Sequence, residues 1–175
     1  MKILIKFIFC GLLSALLFPP FFIFPVGFIV FPFLFFLLID KKYLNKKRLF
    51  HFYSGLVYGI GFNIVVLFWI KEPFLIEPST SKFTLLSYLL IVYCSIFYGL
   101  SFSILSFFNN YFSKLILLPI FFVLIEILRE NLGYGFPWIT FSQVHSGNSF
   151  TLNLIYYFGT YGLSYFTILI FLFPV

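Results

Sequence analysis

The amino-acid sequence predicts an all-α membrane protein, a polytopic bundle of about six transmembrane helices with an ordered outer loop between helices 5 and 6. Hydrophobic residues make up 62% of the chain and charged residues only 9%, whereas soluble domains are roughly half apolar and a quarter charged. The mean hydropathy is +1.11. The few charges cluster between apolar runs of about twenty residues, the length that a helix needs to cross a bilayer. A water-soluble fold is therefore excluded, and residues 1–175 are treated as one membrane unit.

The first two apolar segments are 3–18 and 21–39. The first has a positive start like that of a secretory signal peptide, but it lacks a good cleavage site, so a retained helix is expected. The second contains Pro25 and Pro32. Because proline removes a backbone hydrogen bond from a helix, we expect this span to be kinked.

A basic segment at 40–48 follows, with five cations in nine residues. Short cation-rich loops stay in the cytoplasm, so this segment sets the orientation and places the N-terminus inside. The net charge of +6 therefore reflects topology, and a nucleic-acid partner is not expected. A second inner loop is predicted at 109–114, with Lys114 as its cation.

The remaining spans are predicted at 50–70, 85–108, 115–128 and 152–173. Two of them carry small residues at helix-packing spacing, which lets helix backbones approach closely where the hydrophobic effect cannot drive association. These residues are Gly55, Gly59, Ser95, Gly99 and Ser103. Cys10 and Cys94 lie inside apolar runs and match no metal-binding or disulfide spacing, so both are interpreted as buried small hydrophobic residues.

The outer segment 129–148 differs in composition from its surroundings. Its glycines and Pro137 favour turns, while Tyr134 and Trp138 suit the membrane–water interface. These features predict an ordered re-entrant or interfacial loop.

Two charged residues precede this loop. Glu126 and Arg129 are three residues apart, so on a helix they share a face and form a candidate ion pair that braces the loop. Direct contact with a substrate is the alternative. His145 is expected to be solvated rather than to act as a catalytic base.

The motifs that usually carry catalysis are absent from the sequence. It contains no glycine-rich phosphate loop, no HExxH, no GxSxG and no clustered acidic pair. No catalytic residue, metal site or cofactor is therefore predicted.

Several motifs resemble the membrane region of bacterial apolipoprotein N-acyltransferases, and the resemblance covers nearly the whole chain. Near the N-terminus they include Phe18-Pro19-Pro20 and a glycine-rich stretch that closes on Trp69-Ile70. Later motifs are Glu126-x-x-Arg129, Gly135-Phe136-Pro137-Trp138, Ser142-Gln143 and Gly159-Thr160-Tyr161-Gly162-Leu163-Ser164-Tyr165-Phe166.

The resemblance implies a location and a reaction. Enzymes of this family are multi-pass proteins of the bacterial cytoplasmic (inner) membrane. They transfer an acyl chain from a phospholipid donor to the N-terminal diacylglyceryl-cysteine of an apolipoprotein acceptor, the last step of lipoprotein maturation. A nitrilase-like domain carries out the reaction with a Glu, a Lys and a Cys, through a thioester of the cysteine.

No residue of this sequence matches that catalytic triad. The chain is therefore expected to be the N-terminal membrane portion of such an enzyme, from a truncated gene or a partial sequence, and to be inactive alone. Phe136, Trp138 and Gln143 are expected to line or support the opening through which substrates arrive, with Glu126 and Arg129 supporting the site.

Two alternatives remain open at this point. One is a small multi-pass transporter, for which Asn63 and Glu126 are the best polar candidates within the spans. The other is a non-catalytic membrane subunit.

Overall fold

The computed structural model describes residues 2–132, 135 and 138–175. Within that part of the chain the backbone forms nine α-helices joined by short turns and 3-10 segments. They are α1 (Lys2–Ala15), α2 (Gly27–Ile39), α3 (Lys41–Leu44), α4 (Arg48–Val66), α5 (Glu72–Ile76), α6 (Thr84–Leu105), α7 (Tyr111–Asn131), α8 (Ser149–Leu152) and α9 (Ile155–Phe171).

The basic segment 40–48 lies at one end of the bundle, which we call the basic end. The guanidinium of Arg48, the first residue of α4, lies 4.0 Å from the ring centre of Phe107, just beyond α6. Near the start of α7, Lys114 Nζ donates to the carbonyl oxygen of Leu38, near the end of α2, over 2.7 Å. The ends of four helices therefore meet here.

The segment 138–148 lies at the opposite end, which we call the loop end. The rings of Trp138 and of Trp69, which follows α4, are 5.3 Å apart between centroids. His145 contacts Thr167 of α9. Since each long helix joins the basic end to the loop end, consecutive long helices run in alternating directions, as in a membrane bundle.

Among the described residues, three helical segments are long and apolar enough to cross a membrane: Arg48–Val66, Ser81–Leu105 and Tyr111–Asn131. Two shorter apolar ones are Phe24–Ile39 and Ile155–Phe171. The predicted all-helical fold is thus confirmed for this part of the chain, while the six crossings and the ordered outer loop stay predictions.

Helix α4 packs chiefly against α1 and α6. A Cβ added at Gly59 would lie 2.8 Å from Ser95 Cα, so the small residues do bring the backbones of α4 and α6 together. Side-chain hydrogen bonds also join helices here, from Tyr58 Oη to Ser14 Oγ (2.9 Å) and from Asn63 Nδ2 to Ser95 Oγ (3.1 Å). The predicted packing role is confirmed for Gly55, Gly59, Ser95 and Gly99. Cys10 and Cys94 are buried as expected.

Helix α7 is longer than the predicted span 115–128. It begins at Tyr111, because the Asn110 side chain caps it by accepting from the Phe112 backbone N–H over 2.9 Å. The placement of Lys114 in an inner loop was therefore wrong. Lys114 lies inside α7, is only 1% exposed and binds a backbone carbonyl, so its charge does not mark a loop.

Other helix bounds also differ from the predicted spans. Pro25 lies in a 3-10 turn, Phe24–Val26, so α2 begins only at Gly27 and keeps Pro32 inside the helix. Helix α4 ends at Val66, and a separate 3-10 turn, Phe68–Lys71, follows it. In α9 Gly159 has φ +66°, a left-handed conformation that glycine adopts readily, and the helix is kinked there.

Candidate functional site at the loop end

The candidate site is built on a 3-10 turn, Phe141–His145, between α7 and α9. Four of the five residues predicted for the site lie in the described part of the chain: Glu126, Arg129, Trp138 and Gln143. Phe136 lies outside the described residues. The four fall into two groups, a buried charged pair in α7 and two side chains at a surface pocket.

Glu126 and Arg129 are both buried, and each binds backbone of the loop. The carboxylate oxygen Oε1 of Glu126 accepts from the Phe141 N–H over 2.7 Å, while Arg129 Nη2 donates to the carbonyl oxygen of Ile139. The two side chains do not form the direct ion pair that their spacing suggested. They nonetheless brace the loop, because an acceptor and a donor from one helix hold two nearby peptide groups.

The backbone of Ile139 has an unusual conformation that Glu126 and Arg129 hold in place. Its φ is +71°, in a region that β-branched residues rarely adopt because their side chain crowds the backbone. Such a conformation persists only where the surrounding contacts impose it. The hydrogen bond from Arg129 to its carbonyl, with Glu126 holding the peptide group two residues on, supplies those contacts.

Phe141 anchors the loop in the core. It is 2% exposed, and its ring centroid lies within 6 Å of the ring centroids of four other phenylalanines. One of them follows α1, and the others lie in α2, α4 and α7. They are Phe18, Phe31, Phe62 and Phe122. Sequence reasoning missed this residue because 31 phenylalanines give no single one a distinctive signal. Its position directly after the loop's turn residues is the clue that was available.

Two further contacts fix the turn to α9. The Ser142 N–H donates to Ser164 Oγ over 2.9 Å, and His145 Nε2 lies 2.8 Å from Thr167 Oγ1. Since the Thr167 hydroxyl donates to the Leu163 carbonyl, it accepts from His145, which places the neutral ring's proton on Nε2.

His145 is therefore not the solvated residue that was expected. It is buried, and desolvation by burial lowers the pKa of its ring. A neutral, hydrogen-bonded imidazole at this position ties the turn to α9.

Trp138 and Gln143 share a pocket of about 380 Å³ at the surface of the loop end. The turn after α1 and the end of α4 form the rest of its wall. Among the residues that the structure describes, the lining consists of Phe18, Pro19, Pro20, Val66, Trp69, Trp138, Ile139 and Gln143. The wall is apolar and aromatic apart from the Gln143 amide, so it suits a hydrocarbon chain with one polar group beside it. None of these side chains is ionisable or nucleophilic.

Gln143 also lines a second, more polar pocket of about 360 Å³, between α7, the turn and α9. That pocket is lined by Glu130, Thr140, Ser142, Gln143, Ile155, Thr160 and Tyr161. Gln143 therefore borders both an apolar pocket and a polar one. Such a boundary fits a molecule with an acyl chain and a polar head.

Two comparisons with known proteins give a match. Residues 10–172 match the family model described as the apolipoprotein N-acyltransferase N-terminal domain. An apolipoprotein N-acyltransferase from Rhodopseudomonas palustris is 31% identical over 169 residues, which are 94% of this chain and 31% of that protein. The chain therefore spans about a third of the length of the curated relative that it matches.

Proposed function

Because this chain belongs to the apolipoprotein N-acyltransferase family, we propose that it forms the membrane portion of such an enzyme. In this proposal the chain takes part in lipoprotein maturation, with a phospholipid as acyl donor and an apolipoprotein as acceptor. Its helices hold the catalytic domain at the membrane and shape the opening by which both substrates reach it. The chain resides in the bacterial cytoplasmic membrane with its N-terminus inside.

The observation that carries the proposal is the apolar pocket at the loop end. Its aromatic wall, the adjacent polar pocket and Gln143, which borders both, match the chemistry of a lipid donor. Trp138 and Gln143 line the opening in this proposal. Phe136, which lies outside the described residues, is proposed for the same role from its place in the sequence alone. Glu126 and Arg129 support the opening indirectly, because they hold the backbone from which the lining side chains extend.

The acyl transfer itself lies outside this chain in the proposal. The described residues of the pocket wall include no nucleophile, and both cysteines are buried inside helices. Purified chain in detergent micelles, given phosphatidylethanolamine and a diacylglyceryl lipopeptide, should therefore form no triacylated product by mass spectrometry. Turnover by the chain alone would contradict this part of the proposal.

A chimera tests the positive part. Residues 10–172 of this chain would replace the matching segment of the Rhodopseudomonas palustris enzyme, and acyl transfer to the lipopeptide would be measured in vesicles. We expect activity from the chimera, reduced at least tenfold by Trp138→Ala or Gln143→Ala. Tyr156→Ala is the matched control, because Tyr156 is exposed and lines neither pocket. A folded chimera with no activity, or an equal loss in all three variants, would count against the proposal.

The transporter alternative rests on Asn63 and Glu126. Asn63 donates to Ser95 Oγ, and Glu126 accepts from the Phe141 N–H. Neither residue lines the apolar or the polar pocket at the loop end, so these pockets favour the acyltransferase proposal.

A further inference from the structure

The basic end carries an excess of exposed positive charge. Lys41, Lys42, Lys46, Lys47 and Arg48 are all exposed, and none of them forms an ion pair with a carboxylate in the described ranges 2–132, 135 and 138–175. The neighbouring acid, Asp40, uses its side chain to cap α3 by accepting from the Lys42 backbone N–H over 2.8 Å. These five cations therefore keep their charge available for an external anion.

The same cations lie at the border of an apolar surface. Arg48 stacks over the ring of Phe107, 55% exposed. Its neighbour Leu49 is 62% exposed, and Lys46 lies 5.9 Å from the ring centre of Phe50. Long cationic side chains that lay their stems on apolar surface and keep their charge at its edge are placed at the depth of lipid phosphates.

The loop end has no comparable excess. Its cations are Lys71, Lys82 and Arg129, and Lys71 lies 3.9 Å from Glu72 while Arg129 is buried. Glu77 and Glu130 are exposed there. The attraction for anions is therefore confined to one end of the bundle and so to one leaflet.

We propose that residues 41–48, together with the exposed ring of Phe107, bind the headgroups of anionic phospholipids in the leaflet at the basic end. The cations hold the lipid phosphate, while the adjoining apolar surface packs against the acyl chains of the same lipid. This inference rests on charge and exposure at the basic end and does not depend on the acyltransferase proposal.

Lipid selectivity at the perimeter of the protein tests the proposal. The full chain would be reconstituted in phosphatidylcholine vesicles, and spin-labelled phosphatidylglycerol and phosphatidylcholine would be compared by electron spin resonance. Each exposed cation near a membrane surface favours anionic lipid by roughly fivefold at most. We therefore expect association of phosphatidylglycerol to exceed that of phosphatidylcholine severalfold at low salt and the preference to fall as salt screens the charges.

Matched variants locate the site. Lys41→Gln/Lys42→Gln and Lys46→Gln/Lys47→Gln should each lower the preference, and their combination should lower it further. Lys71→Gln/Lys82→Gln, which removes the same number of charges from the loop end, should leave the preference unchanged. Helix content by circular dichroism verifies that the variants are folded.

Three outcomes would overturn the proposal. They are equal association of the two lipids in the unmodified chain, an equal loss in the loop-end control, and displacement of the lipid by inorganic phosphate beyond the effect of chloride at equal ionic strength. The last outcome would assign the site to free phosphate instead of a lipid headgroup.

Discussion

Two buried cations have the same role at opposite ends of the molecule. Arg129 donates to the Ile139 carbonyl at the loop end, and Lys114 donates to the Leu38 carbonyl at the basic end. Each cation donates to one buried carbonyl, and removing the cation leaves that acceptor without a partner. Each cation therefore secures one end of the bundle through the backbone.

These two cations provide a matched test. Arg129→Met and Lys114→Met should each lower the free energy of unfolding by about 1–3 kcal/mol, because each leaves a buried carbonyl without its donor. The chain's two tryptophans both line the loop-end pocket. Intrinsic fluorescence should therefore shift in the Arg129 variant and stay unchanged in the Lys114 variant. An unshifted emission maximum in Arg129→Met would show that the loop does not depend on this residue.

Phe141 gives the second residue-scale prediction. Phe141→Ala should cost about 3 kcal/mol of unfolding free energy, because it opens a cavity among the aromatic rings that surround it. Phe150→Ala, at a position 81% exposed, should change it by less than about 0.5 kcal/mol. Reversible unfolding in mixed micelles measures both, and equal effects would contradict the anchoring role of Phe141.

At the scale of helices, the contact between α4 and α6 depends on glycine. A Cβ at Gly55 would run into the backbone of Tyr98 and Gly99, so the helices would have to separate. Gly55→Ala should therefore lower the free energy of unfolding by about 1–3 kcal/mol through overpacking.

Gly162→Ala in α9 is the control for this substitution. Its added Cβ meets only the Phe158 side chain, at 3.3 Å. Because alanine favours helix over glycine by up to about 1 kcal/mol, this variant should be unchanged or slightly more stable. If Gly55→Ala behaves in the same way, the close approach of α4 and α6 is not required for stability.

Helices were easier to predict than contacts. Apolar length located the long helices, and the glycine pattern identified the surface between α4 and α6. The helix bounds were less accurate near buried charges, because Lys114 and Arg129 were placed in the loops that flank the predicted span 115–128 although both lie within α7. A sequence shows that a residue is charged, but whether a backbone carbonyl elsewhere in the fold accepts from it is decided by tertiary contacts.

The candidate site was likewise predicted in its residues but not in its tertiary contacts. Trp138 and Gln143 were predicted, and both line the same pocket. The attachment of the loop was not predicted. It depends on the hydrogen bonds of Glu126 and Arg129 to backbone, on the positive φ of Ile139 and on the burial of Phe141. These features are set by backbone conformation or by residues that are distant in sequence.

At the scale of the whole molecule, the uneven charge of the two ends predicts its orientation. Asn45→Cys at the basic end and Ser79→Cys at the loop end are both at exposed positions. A membrane-impermeant maleimide applied to intact cells should label the Ser79 variant and spare the Asn45 variant until the membrane is opened. The unsubstituted chain is the background control, because Cys10 and Cys94 are buried. The reverse labelling pattern would show that the basic end faces outward and would contradict the predicted orientation.

The hydrogen bond between Tyr58 and Ser14 joins residues 44 positions apart, across the whole of α2. Because the chain is synthesised from its N-terminus, Ser14 and Gly11 of α1 are made before α4, the helix they pack against. The small polar face of α1 therefore has no partner until α4 has been added, and α1 can dock only after α4 is made.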